Sequence, residues 1–230
     1  MRMRRKKHGA ERLAAQAEYL VEKPEQKIAS PMTHFGREGA LWLEIGCGKG
    51  GFACGMAALH PLANLYAMER VADVMVVAVE RARERQEERT TDNLRFMVGD
   101  AQTLPEWFEE GSLDAIYLNF SDPWHKKRHS KRRLTYRTML EMYRRLLKEG
   151  GRLYFKTDNR PLFDFTLEEL REVGMTPDYV TYDLHASPYN VGNVVTEYEA
   201  SFTAKGYPIN ALCVTMHKGA IPSATKEETV

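Results

Sequence analysis

The chain has 230 residues, 43% of them apolar, and a formal net charge of +1, which suits a single α/β domain with additions. Its longest uninterrupted apolar run, residues 74–79, is far shorter than the roughly 18 residues that a membrane span needs. The cysteines at 47, 54 and 213 show no CxxC spacing, which disfavours a disulfide framework or a zinc ribbon. We therefore expect a cytoplasmic protein that does not enter a membrane.

The positive charge is concentrated in two short stretches. Residues 1–8 contain five Lys or Arg and residues 125–133 contain six, and neither stretch contains an acidic residue. Elsewhere the acidic residues outnumber the Lys and Arg residues by about 10. A polyanion would be steered to these two stretches.

Strands and helices alternate along the predicted chain. A helix over 10–21 comes first, ending before Pro24. Strands are then predicted at 41–45, 64–69, 93–98, 113–120 and 152–158, with helices at 52–60, 71–89, 134–149 and 161–173. Gly150 and Gly151 are expected to cap the third of these helices. The segment 176–185 is compatible with a sixth strand, and the alternation in 196–205 predicts a half-exposed strand near a sheet edge.

This alternation predicts a doubly wound, mostly parallel sheet with helices on both faces. Residues 36–220 are expected to form one domain, with residues 1–35 as an appended basic tail and helix. Residues 221–230 are expected to form a C-terminal tail.

Polar residues follow every predicted strand, where ligands bind in such a sheet. They are Glu44 with the glycine turn at 46–51, then Glu69, Asp100, the segment 119–124, and Asp158. Gly46 and Gly48 let backbone N–H groups approach a ligand closely. Glu69 lies 23 residues after Gly46, where a carboxylate can accept both hydroxyls of a ribose.

The glycine turn alone leaves three interpretations open. Gly46, Gly48 and Gly51 also fit G-x-G-x-x-G, so a nicotinamide-dependent dehydrogenase is one alternative and a purely structural turn is another. The carboxylates Glu44 and Asp100 favour a cationic ligand over an anionic pyrophosphate. S-adenosylmethionine carries an ammonium and a sulfonium and no phosphate, so it is the favoured cofactor.

The segment FSDPWHKKRHSKRR, residues 120–133, joins one acid to a basic run. Pro123 restricts Asp122 to extended conformations at the strand end. Trp124 is either a stacking surface for a base or a packing residue under the loop. His125 and His129 have helical metal-ligand spacing, but the surrounding cations oppose a metal ion, so no metal is expected. Because the run follows a strand end, we expect it to bind phosphates.

The motifs EIGCGKG, YAMER, VGDA, NFSDPWHKKRHSKRR, KTD and TEYE occur in this order between residues 44 and 199. Together they resemble the bacterial tRNA (guanine-N7-)-methyltransferase family. The glycine turn is common to many methyltransferases, whereas the DPWHKKRH segment and the late TEYE are specific. One position departs from the family pattern, since Ser121 stands where the family usually has proline.

The resemblance implies a class I, Rossmann-like methyltransferase fold with a seven-stranded sheet whose last strand is antiparallel. It also implies methyl transfer from S-adenosylmethionine to N7 of guanine-46 in the tRNA variable loop. The implied cofactor positions are Glu44, Gly46, Gly48, Glu69, Asp100 and Asp122, and Asp122 also falls at the catalytic position. The implied substrate positions, with the basic run included, are Lys126, Lys127, Arg128, Lys131, Arg132, Arg133, Asp158, Thr196, Glu197, Tyr198 and Glu199. A monomer and a homodimer are both compatible with the sequence, and a non-catalytic RNA-binding module remains an alternative.

Overall fold

The computed structural model describes residues 6–88 and 90–218. Its strands are β1 (Leu20–Val21), β2 (Leu41–Ile45), β3 (Asn64–Glu69), β4 (Leu94–Val98), β5 (Leu113–Asn119), β6 (Leu147–Thr157), β7 (Tyr179–Thr181) and β8 (Asn210–Thr215). Its helices are α1 (Gly9–Ala14), α2 (Met32–Phe35), α3 (Gly51–Leu59), α4 (Ala72–Glu84), α5 (Leu104–Trp107), α6 (Arg137–Leu146), α7 (Arg160–Glu172) and α8 (Glu197–Thr203). The predicted C-terminal tail and the first five residues of the basic N-terminus lie outside the described residues.

Over the described residues the strands form one sheet in the order β1-β4-β3-β2-β5-β6-β8-β7. All neighbouring pairs from β1 to β6 are parallel, and β8 is antiparallel to both β6 and β7. The predicted mostly parallel sheet with an antiparallel last strand is therefore confirmed. The sheet has eight strands rather than seven because the two-residue β1 extends it beyond β4.

Helices cover both faces of the sheet, as predicted. On one face α3 and α4 pack against the buried side chains of β3 and β4, including Leu65, Ala67 and Phe96. On the other face α5, α6 and α7 pack against Leu43, Ile116 and neighbouring residues. The central strand β2 is covered on both faces, and only Trp42 is partly exposed; its one charged side chain, Glu44, is also buried.

The chain reverses its direction of winding between β2 and β5. From β2 it builds outward through β3 and β4, and it then crosses back to place β5 on the other side of β2. The carboxyl ends of β2 and β5 therefore diverge into separate loops with a crevice between them, which is the usual ligand site of such sheets.

The predicted strand at 196–205 is wrong, because this segment forms α8. Thr196 is the N-cap, and its Oγ accepts a hydrogen bond from the Glu199 N–H at 2.9 Å. The Glu199 carboxylate in turn accepts from the Thr196 N–H at 3.2 Å, which completes a capping box. The antiparallel strand is instead β8, which lies further along the chain.

The predicted helix at 134–149 is too long, and its proposed glycine cap is wrong. The helix α6 ends at Leu146, and β6 begins at the next residue. Leu147 is fully buried and pairs with Leu113, so the core takes it as a strand residue. Gly150 has a positive φ of 74° within β6, near a shift in the register between β5 and β6.

The N-terminal segment packs on the sheet domain. The predicted helix over 10–21 is only partly correct, because α1 is followed by a 3₁₀ turn and then by β1. Arg12 forms two hydrogen bonds, of 2.8 and 2.7 Å, with the Glu80 carboxylate of α4. Ile28 is fully buried and bridges to Phe108. Among the described residues no helix is both long and apolar enough to span a membrane.

Asn93 provides a test of the packing beneath β4. Its buried Nδ2 lies 2.9, 3.2 and 3.0 Å from the carbonyl oxygens of Ala57, His60 and Ala63, where α3 ends, so its two N–H donors are shared among three acceptors. We expect Asn93→Ala to lower the free energy of unfolding by about 2–3 kcal/mol, because buried acceptors lose their donor. Urea denaturation measures this loss. The matched control is Gln26→Ala, at an exposed position, which should change stability by less than about 0.5 kcal/mol; equal effects of the two substitutions would contradict this account.

Candidate functional site

The glycine turn after β2 leaves open space where a ligand can approach. Gly46, Gly48 and Gly50 have positive φ angles of 79°, 55° and 74°, a region that favours glycine. A Cβ at Gly46 or Gly48 would have no atom within 4 Å. The N–H groups of Gly46 and Cys47 bind the Met68 carbonyl at 2.8 and 3.0 Å, which ties the turn to β3.

Glu44 is a buried carboxylate at the centre of this region, with an exposed fraction of 2%. Its Oε1 accepts a hydrogen bond from Asn119 Nδ2 at 3.0 Å. Its Oε2 is buried and has no hydrogen-bond partner among the described residues. Burial raises the pKa of Glu44 to about 7, although the Asn119 hydrogen bond and the Lys156 charge oppose the shift. The side chain is therefore suited to gain a cationic partner.

Glu69 and Asp100 end the next two strands and organise the backbone there. Glu69 accepts hydrogen bonds from the N–H groups of Gly48, at 3.2 Å, and Val71, at 2.9 Å. Asp100 accepts from the Gln102 N–H at 3.0 Å. Both carboxylates line a cleft of about 460 Å³.

We call this cavity the acidic cleft. Both acidic and basic residues line it. Its lining includes Gly46, Glu69, Asp100, Asn119, Phe120, Ser121, Asp122, Trp124, Lys131 and Arg132. A second cavity of about 430 Å³, the glycine-turn cleft, is lined by Glu44, Gly48, Lys49, Phe52, Thr196, Glu197 and Tyr198, among others. The two clefts share Gly46, Asn119 and Phe120, which lie at the diverging ends of β2 and β5.

The turn between β5 and the basic run has an unusual backbone. Phe120 and Trp124 have positive φ angles of 51° and 43°, which bulky residues rarely adopt. Asp122 lies exposed between them on the acidic cleft. Ser121 Oγ is buried without a hydrogen-bond partner among the described residues, at the position where the resemblance leads us to expect proline.

Trp124 belongs to the cleft wall rather than to either large core cluster. The Arg132 guanidinium lies over its ring at 5.0 Å, and His129 meets the ring edge-on at 5.9 Å. The structure therefore leaves one aromatic surface beside Asp122, between the acidic cleft and the basic run.

Five of the six cations in the basic run are exposed and have no ion pair among the residues the structure describes. They are Lys126, Lys127, Arg128, Lys131 and Arg132. Arg133 differs, because it turns inward and donates to the carbonyls of Pro123, at 2.9 Å, and Trp124, at 3.3 Å. Its guanidinium also lies 4.1 Å from the ring centre of Phe165, and burial lowers its pKa. Arg133 thus holds the loop that presents the other five.

The segment 196–199 forms part of the wall of the glycine-turn cleft. Thr196, Glu197 and Tyr198 line the cleft, and Tyr198 stacks on Phe202 at 4.5 Å between ring centres. Glu199 is fully buried and faces away from solvent. Asp158, at the end of β6, is partly buried, and burial raises its pKa.

The structure brings most of the predicted positions to one edge of the sheet. Three exposed cations of the basic run do not line either cleft: Lys126, Lys127 and Arg128. Two other predicted positions also lie outside both linings, since Glu199 is buried and Arg133 is partly buried. The sequence analysis assigned no role to Lys156, which is buried at the end of β6 and pairs with Glu199. The sequence did indicate a buried partner for Lys156, since a lysine near the end of an apolar strand needs a buried acceptor.

These residues fit a cationic, adenosine-containing ligand. Two buried oxygens, Glu44 Oε2 and Ser121 Oγ, lack partners in the described chain, and the glycine turn leaves open space beside them. Glu69 lies where a carboxylate can bind a ribose. The strand order, the glycine turn and the acidic strand ends together define a class I methyltransferase, whose methyl donor is S-adenosylmethionine.

Comparison with solved structures agrees with this class. The fold matches a crystal structure of the 16S rRNA methyltransferase KamB with a TM-score of 0.62 and 15% identity, covering 86% of this chain and 99% of that chain. It also matches an antibiotic-related methyltransferase with a TM-score of 0.59 and 17% identity, covering 86% of this chain and 99% of that chain. At these identities the likeness concerns the fold alone.

Sequence comparison identifies the family. A family model described as "Putative methyltransferase" matches residues 38–212. A tRNA (guanine-N(7)-)-methyltransferase of Limosilactobacillus reuteri is 43% identical over 92% of this chain and 98% of its own length. The enzyme of the same name from Streptococcus mutans is 41% identical over 91% of this chain and 97% of its own length. The chain belongs to the tRNA (guanine-N(7)-)-methyltransferase family.

The raised pKa of Glu44 predicts pH-dependent cofactor binding. Below about pH 7 the carboxyl group of the free protein is protonated, so a cationic ligand that pairs with the carboxylate must displace a proton. The dissociation constant of S-adenosylmethionine should therefore rise as pH falls from 7.4 to 5.8, by up to about tenfold per pH unit. Isothermal titration calorimetry in two buffers measures the constant and the proton release.

The same shift predicts a stability effect with a defined sign. Because the folded-state pKa of Glu44 is raised, its contribution to stability is present at low pH and is lost as pH rises through about 7. The thermal stabilisation by S-adenosylmethionine should thus be larger at pH 7.4 than at pH 6. Glu44→Gln is the control and should remove both dependences; a variant that keeps the wild-type pH profile would refute the assignment to Glu44.

Proposed function

We propose that this protein transfers the methyl group of S-adenosylmethionine to N7 of guanine-46 in the variable loop of tRNA. It would act in the cytoplasm, as a monomer or a homodimer, and without a metal ion. Residues 36–220 would form the catalytic domain, with residues 1–35 as a basic extension and 221–230 as a tail. Family membership supports the reaction, and the geometry of the site supports the roles of its residues.

One observation carries the proposal: the acidic cleft and the basic run share a wall. Asp122, Trp124, Lys131 and Arg132 line the same cavity as Glu69. Phosphates attract the exposed cations, whereas a sulfonium and an ammonium attract the carboxylates. A tRNA bound to the basic run would therefore place a base beside the cofactor.

The cofactor would be held by residues at the ends of three neighbouring strands. Glu44 would pair with its ammonium, and Gly46 and Gly48 would admit it to the backbone. Glu69 would accept the ribose hydroxyls, and Asp100 would bind at the adenine end of the cleft. The bound cofactor supplies an electrophilic methyl group.

Methyl transfer to N7 requires little proton transfer by the protein. Guanine N7 has a free lone pair, so no proton has to leave before the methyl group arrives. Most of the acceleration would come from aligning N7 with the methyl carbon and the sulfur. The shared wall of Gly46, Asn119 and Phe120 joins the two clefts at one place, which supports transfer at that point.

Asp122 would stabilise the cation that forms on the guanine ring. The charge develops in the transition state, so a nearby carboxylate lowers the barrier without tightening ground-state binding equally. Its exposure on the acidic cleft and the fixed turn around it support this role. It would also bind donors on the base or on the cofactor ammonium.

The tRNA would be bound from two sides. Lys126, Lys127, Arg128, Lys131 and Arg132 would contact phosphates, and Arg133 would hold their loop. The base would be contacted from the opposite side by Thr196, Glu197, Tyr198 and Asp158. Glu199 would position these residues.

The two alternative functions explain fewer of these features. A nicotinamide-dependent dehydrogenase has no use for the exposed basic run, and a non-catalytic RNA-binding module has none for the buried Glu44. Family membership also favours the methyltransferase over both.

Methyl transfer to unmodified tRNA tests the proposal directly. Labelled S-adenosylmethionine should transfer its methyl group to tRNA, and reduction followed by aniline should cleave the product at guanine-46. Asp122→Asn should lower kcat about 100-fold, because a pre-oriented charge is lost in the transition state. Its affinity for S-adenosylmethionine, measured by calorimetry, should change much less. Wild-type turnover in Asp122→Asn would reject the electrostatic role, and label without cleavage at position 46 would reject the proposed position.

The basic run predicts a salt dependence of tRNA binding. Replacing Lys126, Lys127 and Arg128 with Ala should reduce the slope of log K against log salt by about 2 to 3, because each cation releases roughly 0.7–0.9 counterions. Filter binding at several salt concentrations measures the slope.

The control removes cations from the opposite edge of the sheet. Arg83 and Arg171 are exposed near the C-terminal ends of α4 and α7, far from the strand ends that form the site. Replacing both with Ala should leave the slope nearly unchanged. Equal effects of the two sets would show that tRNA binds through overall charge rather than through the basic run.

A further inference from the structure

Lys156 is a buried cation at the end of β6, with 7% of its side chain exposed. Its ammonium lies 5.1 Å from the ring centre of Phe52 and 6.0 Å from that of Phe120. Burial lowers its pKa, and the neighbouring carboxylate of Glu199 opposes that shift. A lysine in such surroundings is costly unless every donor has an acceptor.

All three donors of the Lys156 ammonium are used by one segment of the chain. Nζ donates to Asn193 Oδ1 at 2.8 Å, to the Val194 carbonyl at 2.9 Å and to Glu199 Oε2 at 2.6 Å. These acceptors flank Thr196, Glu197 and Tyr198, which line the glycine-turn cleft. One side chain therefore fastens this segment to β6.

Glu199 completes the attachment from the other side. It has no exposed side-chain surface. Besides Lys156, its carboxylate contacts Asn193 Nδ2 at 2.8 Å, His185 Nε2 at 2.9 Å and the Thr196 N–H at 3.2 Å. The cluster joins β6, the N-terminus of α8 and the loop at 185–194 without an unpaired oxygen on Glu199.

The same ammonium also acts on the cofactor side. The charge of Lys156 lowers the pKa of Glu44, against the larger effect of burial. Glu69 and the thiols of Cys47 and Cys54 also lie in this region, and Lys49 lines the glycine-turn cleft together with Glu44.

We propose that Lys156 is a positioning residue that fixes the segment 193–199, part of which lines the glycine-turn cleft, for the substrate. This inference rests on the proposed function. Lys156 lines neither the acidic cleft nor the glycine-turn cleft; it acts through Glu199 and Asn193.

The location of the ion pair favours positioning over stability as its role. A buried ion pair is often no more stabilising than apolar residues of similar size, since removing two charges from water is costly. Here the ammonium lies 6.0 Å from the ring centre of Phe120, which lines both clefts, and its three acceptors belong to the segment beside the glycine-turn cleft. What it supplies is a directional attachment that apolar packing would not give.

Three variants and a control test this role. Lys156→Met removes the cation, Glu199→Gln removes its partner's charge, and the double variant removes both and guards against misfolding of a single variant. The control is Lys148→Met, on the same strand, where Nζ binds both Asp114 oxygens at 2.8 Å but the side chain is 44% exposed. Thermal unfolding first establishes that each variant is folded.

Hydrogen exchange provides a readout that needs neither tRNA nor cofactor. Lys156→Met should raise amide exchange in residues 196–203 about tenfold, the effect expected from losing a charged hydrogen bond. In the methylation assay the KM for tRNA should rise about tenfold, with a smaller change in kcat.

The double variant separates positioning from general damage. If the pair acts as a unit, it should be no worse than the more impaired single variant. Additive defects, or a Lys156→Met protein that behaves like Lys148→Met in exchange and in KM, would overturn the inference. If wild-type protein does not methylate tRNA, the proposed function fails by itself. The exchange data then still decide whether Lys156 fixes the segment.

Discussion

The reversal of winding between β2 and β5 is the constraint on which the site depends. Parallel strands bring their carboxyl ends to one edge, but only at this reversal do two adjacent strands send their chains apart. The residues that line both clefts, Gly46, Asn119 and Phe120, lie at this point. Asn119 also binds Glu44 across the gap, so the two strands are joined where they would otherwise separate.

The acidic residues and the basic run line the same cleft but belong to different segments of the chain. The carboxylates of Glu69 and Asp100 are used by backbone N–H groups and remain on the strand ends, while the cations extend on a separate loop. If the cations turned inward they would pair with the acids and neutralise both. Arg133 prevents this by binding the carbonyls of Pro123 and Trp124, so one cation of the run holds the loop that presents the others. A run of like charges therefore contains two different roles.

Much of this arrangement could be predicted from the sequence, and the failures have physical causes. Apolar runs followed by acids located β2, β3 and β5 closely, because a buried parallel strand leaves little ambiguity. The alternation in 196–205 was misleading, since the T-x-x-E signature of a capping box was a better guide than the period of two. The end of α6 could not be predicted because Leu147 continues a helical pattern that only the tertiary core interrupts. Nor could the burial of Glu199 be predicted, because its partner Lys156 is 43 residues away.

The buried charges of the site depend on one another. Glu44 is costly because one of its oxygens lacks a partner, and Lys156 would be costly without Glu199. The free-energy cost of burying each charge is offset by another group. Glu199 offsets the cost of Lys156, and Lys156 offsets part of the cost of Glu44. A cationic ligand would pair with the remaining oxygen of Glu44. A site built in this way is most stable when its ligand is bound, so affinity for the cofactor and order in the segment at 193–199 should rise together. The substrate side of the crevice would then be best formed when a methyl group is present to transfer.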